Sequence, residues 1–523
     1  MSERMTTTAQ SATAQGVPAA AEVGVIGAGA MGAGIAQLAA QAGHRVHLFD
    51  TRMGAADAAA VKIAETFAAL AAKGKLEAGA AKAAAARVIP VHALGDLVSA
   101  KLVVEAIVED LEIKRQLFRE LEVVVTADTI LATNTSSFSI TALAVGMQHP
   151  ERVVGMHFFN PAPVMPLVEV VRGLATSARV ADATHATAAA WGKLPVHAQS
   201  TPGFIVNRCA RPYYGEALRL LTERAADPAT IDALMREAGG FRMGPFELMD
   251  LVGLDVNFAV TCSVWEAFFH DPRYTPSRAQ QELVVAGFLG RKSGRGFYSY
   301  APGATRPPAA TEAPQPRPTT VRAAGDGAMS GALRDRLAAS GFNVVQMPAD
   351  PAVAEAYLEV DGALLVPSDG RTATMVAAAS AHPDVVVFDL ALDYRNCTRL
   401  AVAAADSCSA AGAAAAIGAL QAAGIAVTRI DDVAGLVVLR TVAMLATEAA
   451  DAVMQGIAAP ADVDLAMCKG VNYPRGPLAW ADAIGLKRVR AVLHHLAAHY
   501  GEDRYRVSPL IARRCATGGS LVR

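Results

Sequence analysis

His157 and Glu169 carry an acid–base pattern. His157 closes the apolar run 153–156, inside Gly155-Met156-His157-Phe158-Phe159-Asn160-Pro161. Glu169 lies in a second apolar run, Leu167-Val168-Glu169-Val170-Val171. Pro161, Pro163 and Pro166 stiffen the turn between them. An imidazole held by a carboxylate has a fixed tautomer and is ready to take a proton. Oxidising an alcohol needs such a base: it removes the hydroxyl proton while hydride leaves carbon for a nicotinamide. Alone, a histidine is more often structural; the carboxylate and a dinucleotide motif upstream favour the catalytic reading.

That motif is Gly27-Ala28-Gly29-Ala30-Met31-Gly32, directly after the apolar run 23–26. Gly27 permits the tight turn, Gly29 lets a pyrophosphate approach the backbone at a helix N-terminus, and Gly32 lets helix and strand pack closely. Asp50 ends the next apolar run, 23 residues beyond Gly27. Its carboxylate suits an adenosine ribose and repels a 2′-phosphate, which favours NAD over NADP; Arg52 is a counter-signal. Asn134-Thr135-Ser136-Ser137 follows the run 130–132 and offers an amide and hydroxyls to a ribose or substrate oxygen, with Ser137 reading better as a helix N-cap. Asn207 sits early in a helix after Pro202-Gly203, where its amide can donate to a carbonyl. Arg211, four residues on, shares its face. It suits the far carboxylate of a dicarboxylic substrate, and equally a structural salt bridge. His494, His495 and His499 invite a metal reading, but Leu496 stands where a zincin has glutamate. We read a solvated helix face and expect no metal.

Short apolar runs alternating with helical patterns over residues 23–200 position these groups. The runs 23–26, 46–49, 102–104, 130–132 and 153–156 read as buried strands, with helices over 30–42, 54–73 and 110–124. This is the signature of a doubly wound Rossmann-type sheet. Past Pro202 the pattern is helical. Six prolines within 302–318 mark a linker. An α/β texture without a glycine fingerprint returns over 331–430, and helices follow from Gly435. Shifting the sequence by 232 residues aligns Gly203–Arg208 with Gly435–Arg440, Glu216 with Glu448, Asp232 with Asp464, Gly244-Pro245 with Gly476-Pro477, and Asp250 with Asp482. A fixed offset holding Gly, Pro and Asp in step marks a duplication. The expected order is a tail (1–22), a Rossmann domain (23–200), an all-α domain (201–301), a linker (302–330), a degenerate α/β segment (331–430) and a second helical copy (431–523).

The chain has 523 residues, 53% hydrophobic and 18% charged, with a formal net charge of −2. This excludes a disordered chain and gives no basic excess for nucleic acid. The 22-residue uncharged stretch 407–428 is rich in Ala and Gly, so it reads as a helix and a strand, not as a membrane span. No apolar core of a secretory signal stands near the N-terminus. Six scattered cysteines without metal spacing suggest a reducing cytoplasm.

Gly27–Gly32, Asn134–Ser137, Met156–Pro166 with Glu169, Thr201–Arg208, Met243–Leu248 and Gly290–Tyr298 resemble, in order and spacing, the 3-hydroxyacyl-CoA dehydrogenase family over residues 22–300. The resemblance implies NAD-dependent oxidation of an (S)-3-hydroxyacyl-CoA to the 3-ketoacyl-CoA, as in β-oxidation and fatty acid metabolism. It implies that His157 is the general base and Glu169 its orienting partner. Ser136 and Asn207 would position substrate. Asp50, Glu109, Lys114, Ser136, Asn160 and Lys292 would meet NAD alongside Gly27, Gly29 and Gly32. Thr66 and Lys73 match CoA-contacting positions on a shortened helical hairpin. The duplication is similar to longer bacterial members, including the 3-hydroxyadipyl-CoA dehydrogenases of phenylacetate breakdown. Short-chain 3-hydroxybutyryl-CoA oxidation is the alternative; a non-CoA hydroxy-acid dehydrogenase and a non-catalytic NAD-binding relative stand further off. Leu439 replaces Asn207 in the repeat, so one active site is expected. The second helical copy would act as an internal partner, making a pseudo-dimer that is a monomer or forms a homodimer.

Overall fold

A computed structural model describes residues 15–354 and 356–522; residues 1–14 of the expected tail lie outside them. The remainder of that stretch is anchored: Val17 N donates to Thr187 Oγ1 at 2.8 Å. The chain forms two compact units. The first runs to Ile205 and takes in Ile457–Gly470; the second holds the rest.

The first unit is built on eight strands: β1 (Val23–Ile26), β2 (Val46–Phe49), β3 (Val88–Val91), β4 (Leu102–Glu105), β5 (Ile130–Thr133), β6 (Val153–Phe158), β7 (Leu167–Arg172) and β8 (Leu194–Gln199). Their order is β3-β2-β1-β4-β5-β6-β7-β8. All neighbours are parallel except β6 and β7. Strands β1, β4, β5 and β6 are buried throughout, as near-continuous Val, Ile and Leu runs require of a sheet covered on both faces. The order reverses between β1 and β4, and ligands of this fold lie outside the carboxyl ends of the strands at that point. The helices Ala30–Gln41, Ala55–Ala72 and Leu111–Val124 match the expected ones within two residues. Two short strands, β3 and β8, escaped the sequence reading; β3 carries Pro90 and pairs at the sheet edge, where proline is tolerated.

The second unit contains seven strands: β9 (Val321–Ala324), β10 (Val344–Met347), β11 (Tyr357–Val360), β12 (Ala363–Pro367), β13 (Val385–Phe388), β14 (Arg399–Ala404) and β15 (Ala426–Arg429). Their order is β10-β9-β11-β12-β13-β14-β15. β9 lies inside the stretch read as linker, and it corrects the expectation that no glycine loop precedes the second copy. Gly325-Asp326-Gly327-Ala328-Met329-Ser330 follows β9 and opens the helix Ala328–Ala339, as Gly27–Gly32 follows β1. The loop is worn. Ser330 stands in place of Gly32, and a Cβ on Gly327 would lie 2.9 Å from the Ala356 methyl. β10 pairs parallel with β9, as β2 does with β1, but on its other side β9 meets antiparallel β11 where β1 meets parallel β4, so the strand ends that frame a dinucleotide crevice are not assembled. The uncharged stretch 407–428 supplies the helix Ala410–Ala422 and most of β15. Among the described residues no single helix is long and apolar enough to cross a membrane.

The helical duplication is visible as reciprocal contacts. Arg208 binds Glu448 at 2.6 Å, and Arg440 binds Glu216 at 2.7 Å. Each pair is the other shifted by 232 residues and exchanged, which is how an isologous interface pairs. Tyr274 donates to Glu448 and Tyr505 to Glu216. The helix Pro228–Glu237 packs on β14, while its counterpart Pro460–Gly470 packs on β7 and β8 of the first unit; there Gln199 N donates to Ile457 O. That exchange explains why 457–470 leaves the otherwise continuous second helical copy. Asp232 caps Phe246 and Glu247 N–H groups, and Asp250 holds Phe297 and Tyr298 N–H groups. Asp482 holds Leu521 and Val522 N–H groups in the same way, so the repeat keeps this aspartate for backbone satisfaction.

Arg440 is fully buried and donates to Glu216, Glu223, Tyr500 and Tyr505. Arg440→Met is expected to cost about 3–5 kcal/mol in denaturant unfolding, because buried carboxylates lose their cation. Arg322→Met at the exposed Arg322–Glu359 pair should stay within about 1 kcal/mol. Equal effects would contradict this assignment.

Candidate active site

The C-terminal edge of the first sheet collects the functional groups through a chain of contacts. Gly27 has φ +101°, and a Cβ there would lie 2.5 Å from Ala106 O, after β4. A Cβ on Gly32 would lie 1.7 Å from Gly27 O. A Cβ on Gly29 would meet nothing within 4 Å. Thus two glycines are needed to build the loop, and the third leaves open space beside the helix N-terminus. That helix takes no side-chain cap, so its first N–H groups suit a pyrophosphate. Asp50 Oδ2 accepts from Ala28 N at 2.7 Å, bracing the loop from β2. Arg52 bonds to Asp50, and that contact, aided by the Ala28 and Arg52 N–H groups, holds the Asp50 carboxyl down to about 2 against the opposing effect of burial. Arg52, the counter-signal to NAD, is therefore engaged with Asp50. The open cradle at Gly29 and the Asp50 carboxylate just beyond β2 fit NAD.

Glu109 ties the loop after β4 to the loop after β5. It accepts from Thr135 Oγ1 at 2.6 Å, Ser136 N at 3.1 Å and Ser137 Oγ at 3.0 Å. Burial pushes its carboxyl up, but Lys114 and the hydroxyls outweigh this and hold it below the usual range. Lys114 is 1% exposed, between Glu105 at 2.6 Å and Glu109 at 3.2 Å. It reaches this edge through Glu109, a positioning role its sequence neighbourhood did not reveal. Glu105 also accepts from Thr133 Oγ1 and Ile107 N. Asn134 Oδ1 accepts from Phe158 N at 2.9 Å, joining the Ser136 loop to the strand that bears His157.

His157 and Glu169 are direct partners across the antiparallel β6–β7 pair, so their side chains share a face. Nδ1 of His157 lies 2.7 Å from Glu169 Oε2. Both residues are buried, and Glu169 Oε1 accepts from Ile205 N at 3.0 Å. The His157 ring contacts Phe159 and Phe204, with centroids 4.6 and 5.9 Å away. With Nδ1–H donated to the carboxylate, Nε2 is the nitrogen that accepts a proton. Asn160 is exposed just beyond and precedes a cis peptide bond to Pro161.

Thr66 and Lys73 are exposed on the helix Ala55–Ala72 and at its C-cap, seven residues apart on one face; no hydrogen bond or ion pair among the described residues ties them to the sheet edge. Asn207, Arg211 and Lys292 belong to the second unit. Lys292 Nζ pairs with Asp255 at 2.6 Å. Arg211 is buried, with Nε on Asn207 O at 2.7 Å and Nη1 on Thr261 Oγ1 at 2.9 Å. The salt bridge weighed for it is absent among the described residues. His494 and His499 are exposed, whereas His495 is partly buried and bonds to Asp369 O, departing from the solvated face expected. No cluster able to hold a metal occurs among the described residues.

The 232-residue offset reaches further back than the sequence reading took it. His157 maps onto Asp389 and Glu169 onto Ala401, which adjoin across β13–β14. Asp389 accepts from the Val437, Val438 and Leu439 N–H groups, as Glu169 accepts from Ile205. The second copy therefore keeps the carboxylate that caps the helix start, moved one strand over, with Ala401 beside it and no imidazole bonded to it among the described residues.

Comparison with known proteins agrees. The 3-hydroxyacyl-CoA dehydrogenase NAD-binding domain model matches residues 22–201, and the family's C-terminal domain model matches 203–300 and again 435–520. Residues 365–433 match a 3-hydroxybutyryl-CoA dehydrogenase reduced Rossmann-fold domain. The chain is 45% identical over 496 residues to the 3-hydroxyadipyl-CoA dehydrogenase of Escherichia coli (strain K12), covering 94% of this chain and 97% of that protein. It is 41% identical over 284 residues to human mitochondrial hydroxyacyl-coenzyme A dehydrogenase, covering 53% of this chain and 90% of that one. The crystal structure of a 3-hydroxybutyryl-CoA dehydrogenase from E. coli K12 superposes with a TM-score of 0.86 at 43% identity, over 95% of this chain and 98% of that one. The cofactor is NAD, and the reaction is oxidation at a CH–OH carbon. With both domain models matched in order and the second repeated, the chain belongs to the 3-hydroxyacyl-CoA dehydrogenase family.

Proposed function

We propose that the protein oxidises the 3-hydroxyl of an (S)-3-hydroxyacyl-CoA with His157 as general base, and that its physiological substrate is 3-hydroxyadipyl-CoA in aromatic catabolism. The buried His157–Glu169 pair, at 2.7 Å, carries the reading. Nε2 of His157 takes the hydroxyl proton as the C3–H bond breaks. Glu169 keeps Nδ1 protonated and stabilises the imidazolium so formed. NAD, when bound, supplies the hydride acceptor. Gly27, Gly29, Gly32 and Asp50 hold it, and Glu109, fixed by Lys114, aligns the Ser136 loop. Asn160 and Lys292 are assigned to NAD, and Ser136 and Asn207 to the substrate, on the family pattern; Thr66 and Lys73 are assigned to CoA. The full-length similarity to the E. coli 3-hydroxyadipyl-CoA dehydrogenase favours the dicarboxylic substrate. The name of the superposing 3-hydroxybutyryl-CoA dehydrogenase favours a short chain instead.

Reciprocal pairing of the helical copies supports an internal pseudo-dimer, in which the second copy supports the first. The six scattered cysteines, without metal-ligand spacing, suit a cytoplasmic enzyme. Glu169→Gln is the direct test of the pair. The variant is expected to lose about 10²-fold or more in kcat, because the amide no longer enforces the Nδ1–H tautomer. Unchanged kcat would remove Glu169 from the mechanism.

A further inference from the structure

A cavity of about 310 Å³ lies wholly within the second unit, with Thr275 and Arg278 exposed at its rim. Arg211, Thr261, Ser277 and Arg278 on its wall come from the first helical copy, and Arg504 comes from the second. The cavity therefore sits at the seam where the copies pair. Three of its arginines are neutralised within the protein: Arg273 by Asp271, Glu448 and Asp451, Arg504 by Glu216, and Arg219 by Glu502. Glu223, the carboxylate on the wall, is taken up by Arg440 and Tyr500. It stands twelve residues beyond Arg211, past the end of the helix Arg211–Thr222, about 18 Å away by helical rise.

Arg211 differs. It is 6% exposed, and no carboxylate among the described residues lies within 4 Å of it. Nε donates to Asn207 O and Nη1 to Thr261 Oγ1, and the guanidinium lies over the Tyr214 ring. Nη2 donates to no described residue and keeps open surface. Burial pushes this guanidinium down, opposed by Tyr214 and Tyr473 but by no carboxylate. At Arg273, Glu448 and Asp271 overcome the same effect of burial and hold the group up. An arginine stays charged in a protein, and burying its charge without an anion is costly. A second donor set lines the same space. The helix Arg278–Val285 begins on the cavity wall at Ser277, whose side chain makes no cap bond. Its first N–H groups are left for water or a ligand. Arg278 itself makes no ion pair among the described residues.

We propose that this cavity binds a phosphate group, with Arg211 as its buried anchor and with Arg278 and the start of its helix as donors at the rim. Donors on separate elements suit a tetrahedral oxyanion, whose oxygens point in several directions, better than a planar carboxylate. Inorganic phosphate and a small phosphate monoester are the two sources of that chemistry. Neither NAD nor acyl-CoA is needed for this binding, which goes beyond the dehydrogenase reading. A ligand bound only by the folded protein stabilises it by mass action.

Thermal melts of the full-length protein, saturated with NAD and held at constant ionic strength with chloride, test the site. NAD fills the glycine loop, so added phosphate is read apart from the pyrophosphate position. Inorganic phosphate should raise Tm saturably, by roughly 5 °C at about a hundredfold excess over its Kd. Arg278→Glu, a change at an exposed residue, should remove that rise, and so should Arg211→Met. If Arg211→Met fails to fold, Arg278→Glu and a calorimetric titration reaching one phosphate per wild-type chain carry the test. Glycerol phosphate acting at lower concentration than inorganic phosphate assigns a monoester, and the reverse order assigns the free ion. Phosphate strengthens apolar burial in proteins generally, so a rise of equal size in wild type and variants overturns the site. So does an equal response to acetate, which would make the ligand a carboxylate, and so does the absence of saturable binding.

Discussion

His157→Gln is expected to lower kcat by about 10²- to 10⁴-fold, the usual worth of a positioned general base, while the dissociation constant of NAD stays nearly unchanged. Glutamine keeps a hydrogen bond to Glu169 and fills most of the imidazole's volume, so β6 and β7 should remain paired. What it lacks is a basic nitrogen at the position of Nε2. The glycine loop and Asp50, which hold the cofactor, stand after β1 and β2, and no hydrogen bond among the described residues joins them to His157. Initial rates of NADH formation and a fluorescence titration of NADH separate the two effects. A variant with full turnover would falsify the mechanism. One that loses cofactor binding in step with turnover would show that His157 is structural.

The second large effect lies in the glycine loop. Gly32→Ala places a methyl 1.7 Å from Gly27 O, a backbone atom that cannot swing aside. Either the helix lifts off the strand or the loop opens, and forced overpacking typically costs about 1–3 kcal/mol or more. For a unit of this size each kcal/mol corresponds to about 2–4 °C in Tm. The apo protein should therefore melt several degrees lower and bind NAD poorly. Gly29→Ala gives the contrast. Its Cβ meets nothing within 4 Å and its φ of −72° suits alanine, so apo stability should stay within about 1 kcal/mol. NAD affinity should nevertheless fall, because the methyl occupies the approach of the pyrophosphate. Thermal melts with and without NAD read both. If Gly29→Ala binds NAD as well as wild type, the pyrophosphate lies elsewhere.

The sequence made the catalytic strand pair and the cofactor loop legible because both rest on local rules. A glycine turn after a buried strand, and a carboxylate one hairpin away from a histidine, need only neighbouring residues to be recognised. Lys114 was harder. Its place on a helix of mixed charge says nothing about burial, and only the fold encloses it between Glu105 and Glu109. The strand β9 hid behind six prolines, so the worn loop Gly325–Ser330 went unseen. Asp389 was within reach, since the same offset of 232 that aligns the helices aligns it with His157. It lies in an α/β stretch where no residue type marks it, only its position. The exchange of Pro228–Glu237 and Pro460–Gly470 between sheets is a tertiary fact that no local pattern encodes.

The most direct test of the central claim mixes the full-length protein with NAD and (S)-3-hydroxyacyl-CoA and follows NADH absorbance, alongside a titration of bound NADH per chain. The account predicts steady NADH formation from the (S) substrate, dependent on His157, with one NADH bound per chain in the first copy. No NADH from any 3-hydroxyacyl-CoA, or two NADH bound per chain, would contradict it.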